Sequence, residues 1–155
     1  MAVQGGSTAN YTGKILQKYI SDRLIERGYT FVPQEKFVPS LILEQPIFTE
    51  QFRQLCMGIY DTPIKCDFIL YHPEKWPNNL VIEAKWQQTN GSVDEKYPYN
   101  VLNIQTKYPY PAIIVIGGSG YKKGAEKWLR NQVTGNLLHV FNMEQFATWA
   151  NKGNI

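Results

Sequence analysis

Two β-prone segments set the limits on how this chain can fold. Residues 66–71 read Cys-Asp-Phe-Ile-Leu-Tyr and residues 80–87 read Leu-Val-Ile-Glu-Ala-Lys-Trp-Gln, with Pro73, Pro77, Asn78 and Asn79 between them. Proline and asparagine break strands and favour turns, so the pair reads as an antiparallel hairpin. Side chains alternate along a strand. Val81, Glu83, Lys85 and Gln87 therefore share one face, and Ile82, Ala84 and Trp86 share the other. On the partner strand Asp67, Ile69 and Tyr71 share a face, so pairing can bring Asp67 beside Glu83.

The remaining segments supply more strands and the helices to cover them. Residues 10–27 carry Leu16, Tyr19, Ile20 and Leu24 on one helical face, and Gly28 ends the pattern. The small, polar residues 1–9 before it read as an arm. Residues 29–32 are β-prone and stop at Pro33, residues 37–48 read as an irregular strand pair, and the stretch up to Thr62 has no clear period. Residues 93–108 read as a helix with Asp94 and Glu95 early and Pro98 near its first turn. The aliphatic run 112–116 reads as a buried strand, followed by Gly117-Gly118-Ser119-Gly120, a helix over 123–132, a strand over 137–141 and a closing helix over 143–150. This order predicts a single α/β domain over residues 1–155, with a mixed central β-sheet flanked by helices.

Composition narrows the class. Of 155 residues, 43% are hydrophobic and 19% charged, which suits a packed globule. The run 112–116 is far short of the roughly 20 apolar residues that cross a bilayer, so no membrane association is expected. Cys56 and Cys66 form no CxxC, and His72 and His139 lie far apart in sequence. A zinc cluster or disulfide scaffold needs more ligands, so free thiols in a reducing cytosol are the reading here.

The hairpin carries the chemistry. Two carboxylates about 4 Å apart repel by ~4 kcal/mol at an effective dielectric near 20. They need a cation or a shared proton. Oxygen ligands with few His or Cys favour Mg²⁺ or Mn²⁺ over Zn²⁺. Such a site suits phosphodiester chemistry. Taken alone, Glu83-Ala84-Lys85 also fits a solvated face or a cross-strand ion pair.

Asp67, then Glu83-Ala84-Lys85 after a hairpin turn, with an amphipathic helix before both, resembles the PD-(D/E)xK nuclease superfamily, which has the restriction-endonuclease-like fold. The likeness runs from about residue 10 to the last helix. The stretch from Glu83 to Pro98 is similar to the segment after the catalytic lysine in several restriction and homing endonucleases of that superfamily. The resemblance implies that Asp67 and Glu83 bind Mg²⁺, with Mn²⁺ also accepted. It implies that Lys85 orients or activates the attacking water and that Gln87 lies at the edge of the site near phosphate or water. The implied reaction is hydrolysis of double-stranded DNA to 5′-phosphate and 3′-hydroxyl ends by a site-specific endonuclease of restriction or homing type. A structure-specific nuclease such as a Holliday junction resolvase is the alternative, and a non-catalytic DNA-binding domain a further one.

The sequence departs from the family pattern twice. Cys66 stands where the family has proline, although Pro63 is near, and Gly13-Lys14-Ile15-Leu16 is followed by Gln17 where many members carry glutamate. Gln17 could hold a water there but offers no charge. DNA contacts are expected from Lys14, Arg53, Lys65, Lys96, Lys122 and Lys123, with residues 41–64 a candidate for recognition or oligomer contacts. The glycine turn at 117–120 lacks the Gly-Lys-Ser/Thr of a nucleotide-binding loop. Tyr97, Tyr99, Tyr108, Tyr110 and Trp128 could stack on bases, with core packing the stronger reading. One active site cuts one strand, so a homodimer or higher homo-oligomer is expected. The expected location is the cytoplasm, in a prokaryotic or phage-encoded setting. The net charge of +3 is unevenly spread: residues 1–60 carry +1, residues 61–100 carry −2 and residues 101–155 carry +4. The acidic segment is the one holding Asp67 and Glu83, and the basic one suits a phosphate-facing flank.

Overall fold

A strand that is apolar on both faces must be covered on both. The run 112–116 meets this condition as β5 (Ala112–Gly117), every residue of which is buried. The computed structural model describes residues 4–87, 93–120 and 122–155. Its sheet also contains β1 (Thr30–Phe31), β2 (Ile47–Met57), β3 (Pro63–His72), β4 (Trp76–Trp86) and β6 (Leu137–Asn142), lying side by side in chain order. The helices are α1 (Gln4–Glu26), α2 (Gln34–Ser40), α3 (Val93–Thr106), α4 (Lys123–Arg130) and α5 (Met143–Trp149). The β1–β2 pair is parallel, β2–β3 and β3–β4 are antiparallel, and β4–β5–β6 are parallel, which makes the sheet mixed as expected. Parallel neighbours need crossovers. Here α3 carries the chain from β4 to β5, and α4 carries it from β5 to β6.

Two apolar layers hold the sheet. Leu16, Ile20 and Leu24 recur every fourth residue on α1 and pack with Phe146 of α5 against Phe68, Leu70, Leu80, Ile82, Ile113 and Val115. On the opposite face Tyr97, Val101 and Ile104 of α3 and Leu129 of α4 cover Ile69, Val81, Ile114 and Ile116. Alternation along β4 thus sends Ile82 toward α1 and Val81 toward α3. Among the described residues no helix is long and apolar enough to cross a membrane.

The structure departs from the sequence reading at the N-terminal end. Residues 4–9, read as part of an arm, belong to α1, which begins at Gln4. Residues 37–48 do not form a strand pair. Pro33 stands at the N-cap of α2, where a missing N–H costs nothing. Phe37 anchors that helix on Phe52, with ring centroids 5.7 Å apart at 62°. The stretch without a clear period is largely β2, an interior strand of 11 residues. Its alternation is disguised by a left-handed Gln51 (φ 52°) and by a register shift between Phe52 and Cys56. Pro98 lies inside α3, past its first turn.

Candidate active site

The hairpin pairs Phe68 with Ile82, Ile69 with Val81 and Leu70 with Leu80. One further step of that register sets Asp67 opposite Glu83. The regular ladder gives way there, and a side chain takes over: Asp67 Oδ2 accepts the Ala84 backbone N–H at 2.8 Å. This bond fixes the Asp67 carboxylate against β4 beside Glu83. Asp67 Oδ1 faces the Gln51 amide, whose Nε2 lies 3.4 Å away.

Asp67, Glu83 and Lys85 line one cleft of about 270 Å³, together with Ile64, Lys65, Tyr99, Asn100, Asn103 and Tyr108. Strands β3 and β4 form its floor and α3 one wall. Glu83 is only 3% exposed. Its Oε1 accepts a 2.5 Å hydrogen bond from the Tyr108 hydroxyl. Burial pushes the Glu83 carboxyl up to about 8; Lys85 pulls it back down, and Asp67 adds to the rise. Burial also raises the Tyr108 hydroxyl, and the Glu83 charge raises it further. Lys85 is half-buried and forms no salt bridge among the described residues. The cleft therefore holds a carboxylate that burial disfavours in its charged form, with a second carboxylate beside it.

Those donors fit a hard divalent cation. Carboxylate oxygens suit Mg²⁺ or Mn²⁺, and a cation would relieve the cost of ionising Glu83. Asn100 Oδ1, in the same cleft, is buried without a hydrogen-bond partner among the described residues, so an acceptor remains for a water there. Among the described residues no group of three or more His, Cys, Asp and Glu converges. Asp67 and Glu83 would hold the ion, with other oxygens completing its shell.

The other expected site residues are scattered. Lys65 is exposed and lines the cleft. Gln17 does not line it. Gln17 and Lys14 border a separate cleft with Lys18, Ser21 and Glu50, because the apolar stripe of α1 packs on the sheet face opposite Glu83. Arg53 is exposed beside α2, and its backbone N–H donates to Gln34 Oε1 at 3.2 Å. Lys96 lies exposed on α3, and Lys122 and Lys123 lie exposed at the start of α4.

Gln87 is also outside the cleft lining, and its amide is engaged by the fold. Its Oε1 accepts the Asp94 N–H at the start of α3 (3.2 Å), and its Nε2 donates to the Gly120 carbonyl (3.1 Å). The Gly120 N–H donates back to the Gln87 carbonyl at 2.8 Å. Gly118 has φ 84°, and a Cβ there would lie 2.2 Å from that same carbonyl oxygen. The glycine turn is thus shaped by close approach to the end of β4. Residues 88–92 of the extended motif, and Tyr121, lie outside the described residues. Among the aromatics weighed for stacking, Tyr97 is core and Tyr108 is tied to Glu83.

Sequence reasoning missed Gln51, Asn100, Asn103 and the bond from Tyr108. Gln51 follows from register alone, since Glu50 pairs with Phe68 and Phe52 with Cys66. Tyr108 lies 25 residues beyond Glu83, and no local pattern joins the two.

Residues 8–154 match the family model of the PD-(D/E)XK nuclease superfamily domain. No curated protein and no solved structure matches the chain.

Proposed function

The chain belongs to the PD-(D/E)XK nuclease superfamily, and from that premise we propose that it is a Mg²⁺-dependent, site-specific endonuclease of double-stranded DNA, of restriction or homing type. The observation that carries this reading is the meeting of Asp67, Glu83 and Lys85 in one cleft. Asp67 and Glu83 would hold the cation. Bound there, it supplies Lewis-acid polarisation of the phosphoryl group and a more acidic water. Lys85 would donate to the attacking water or to a non-bridging phosphate oxygen and offset developing charge. Water attacks phosphorus, the P–O3′ bond breaks, and the 3′-oxygen leaves with a proton. The products are a 5′-phosphate and a 3′-hydroxyl. Tyr108 orients the Glu83 carboxylate, and Lys65 meets the phosphate backbone at the cleft. Exposed Lys96, Lys122 and Lys123 extend that basic flank. Cutting both strands calls for a homodimer or higher oligomer, acting in the cytoplasm in a prokaryotic or phage-encoded setting.

Plasmid and linear duplex incubated with Mg²⁺, Mn²⁺ or EDTA, followed by sequencing of the cut ends, test the reading. Lys85→Ala and Asp67→Ala are expected to lose roughly 10²-fold or more in cleavage while still binding DNA. Full activity in EDTA, or in either variant, overturns the assignment. Cutting of four-way junctions without regard to sequence would instead mark a junction resolvase.

A further inference from the structure

The turn joining β2 to β3 carries an aromatic ring that the fold immobilises without burying. Tyr60 is 71% exposed. Its ring stacks on Tyr99 of α3, with centroids 5.2 Å apart and planes at 23°. Tyr99 in turn lines the cleft with Asp67, Glu83 and Lys85.

The turn is firmly built. The Gly58 N–H donates to the Thr62 carbonyl (2.9 Å) and the Asp61 N–H to the Gly58 carbonyl (3.0 Å). Asp61 takes φ 54°, a conformation that aspartate tolerates in turns. The Ile59 N–H donates to Asn103 Oδ1 at 2.9 Å, and Asn103 Nδ2 donates to the Tyr99 carbonyl at 3.1 Å. A Cβ on Gly58 would lie 2.5 Å from Ile64 Cδ1 and 3.0 Å from Asn103 Oδ1, so the turn sits close on α3. Buried Asn103 thus ties the Tyr60 turn to the residue that Tyr60 stacks on.

An exposed aromatic ring held in place loses little entropy when a second flat ring settles on it. Base–aromatic stacking is tolerant of sequence because every base has a π-face. A base inside a duplex has both faces covered by its neighbours, so only an unpaired or flipped base can use such a surface. Exposed Lys65 lines the same cleft as Tyr99 and can meet the phosphate of that nucleotide.

We propose that Tyr60, backed by Tyr99, is a stacking platform for an unpaired nucleobase next to the scissile phosphate, so that the preferred substrate carries a mismatched or single-stranded nucleotide there. This rests on the nuclease reading of the cleft. The test uses the full chain carrying Lys85→Ala, with Mg²⁺, and 2-aminopurine oligonucleotides either single-stranded or as perfect duplex. Adding Tyr60→Ala is expected to weaken binding of the single-stranded probe roughly tenfold and to abolish the fluorescence quenching that stacking produces. Duplex affinity is expected to change less than twofold, and Tyr60→Trp to retain both signals. Tyr60→Leu keeps apolar cover on Tyr99 without a π-system, and is expected to behave like Tyr60→Ala with an unchanged melting temperature. Equal loss on both probes, or no loss on either, overturns the platform. If the native chain also cleaves duplex DNA, the nuclease reading survives that result. Failure of the native chain to bind any DNA overturns both.

Discussion

Ile82 and Glu83 are consecutive on β4 and almost equally inaccessible, at 0% and 3% exposed. Ile82 faces the layer formed by α1 and α5, among Leu16, Ile20, Phe68 and Phe146. Glu83 faces the other side, bonded to Tyr108 and close to Asp67 and Lys85. The same degree of burial has opposite signs. Removing an aliphatic side chain from water is favourable, whereas removing an ionised carboxylate from water is costly unless it is paired. Ile82 therefore stabilises the fold, whereas an ionised Glu83 costs stability at its position on the opposite face of β4.

The largest effect on stability is expected on the apolar face. Ile82→Ala removes a fully buried branch and leaves a cavity, for a loss of about 2–5 kcal/mol in a urea or thermal melt. A loss below about 1 kcal/mol would show that the α1 layer can collapse around the gap, and would weaken the contrast between the faces.

On the acidic face the sign reverses. The folded Glu83 carboxyl is raised to about 8, against an ordinary 4.5. Stability tied to its protonated form is fully present below the unfolded value and is lost as pH rises from about 4.5 through about 8. Glutamine cannot ionise and still accepts the Tyr108 hydroxyl. In EDTA at pH 8.5, Glu83→Gln is therefore expected to be more stable than the native chain in a urea or thermal melt. The gain should shrink toward zero near pH 4.5, and cleavage with Mg²⁺ should be lost. A destabilised glutamine variant at pH 8.5 would sink the claim that the charge is held at a cost.

Tyr108 sharpens the same point at smaller amplitude. Its hydroxyl is a donor that eases the Glu83 charge. Tyr108→Phe should cost about 1–2 kcal/mol above pH 8 in EDTA, and less at pH 5, where the carboxyl is protonated. Melts of equal depth at both pH values would mean that Tyr108 contributes through packing alone.

These contrasts explain what could be read from the sequence. Asp67, Glu83 and Lys85 were legible because a hairpin is local: alternation sets the faces, and the turn residues limit the register. The run 112–116 was legible because an unbroken aliphatic strand has one use. Residues 34–57 were not. Two prolines, Pro39 and Pro46, break the patterns there, and Pro33 stands just before them. Helix 34–40 packs through Phe37 on Phe52, a tertiary contact that no local pattern shows, and the left-handed Gln51 hides the period of β2. Gln17, expected near the site, borders a separate cleft for a related reason. The periodicity of α1 identifies its apolar stripe but not the sheet face that receives it.

Gln87 gives the smallest effect and the finest test of the comparison. It alternates in sequence with Glu83 and Lys85, which suggests a part in the chemistry. Its amide instead joins the end of β4 to the first turn of α3 and to Gly120. A side-chain acceptor at a helix start is worth about 1 kcal/mol, so Gln87→Ala should lower stability by about that amount. Helix α3, which carries Tyr99 and Asn103, would then be held less tightly at its start, and substrate should bind more weakly through it. Weaker binding raises KM, while under the proposed mechanism kcat is set by Asp67, Glu83 and Lys85, which Gln87 does not touch among the bonds described. A rise in KM with kcat within about threefold marks Gln87 as a positioning residue. A fall in kcat comparable to that of Lys85→Ala, with the melting temperature unchanged, would return Gln87 to the reacting centre and erase the distinction between the two halves of the β4 polar face.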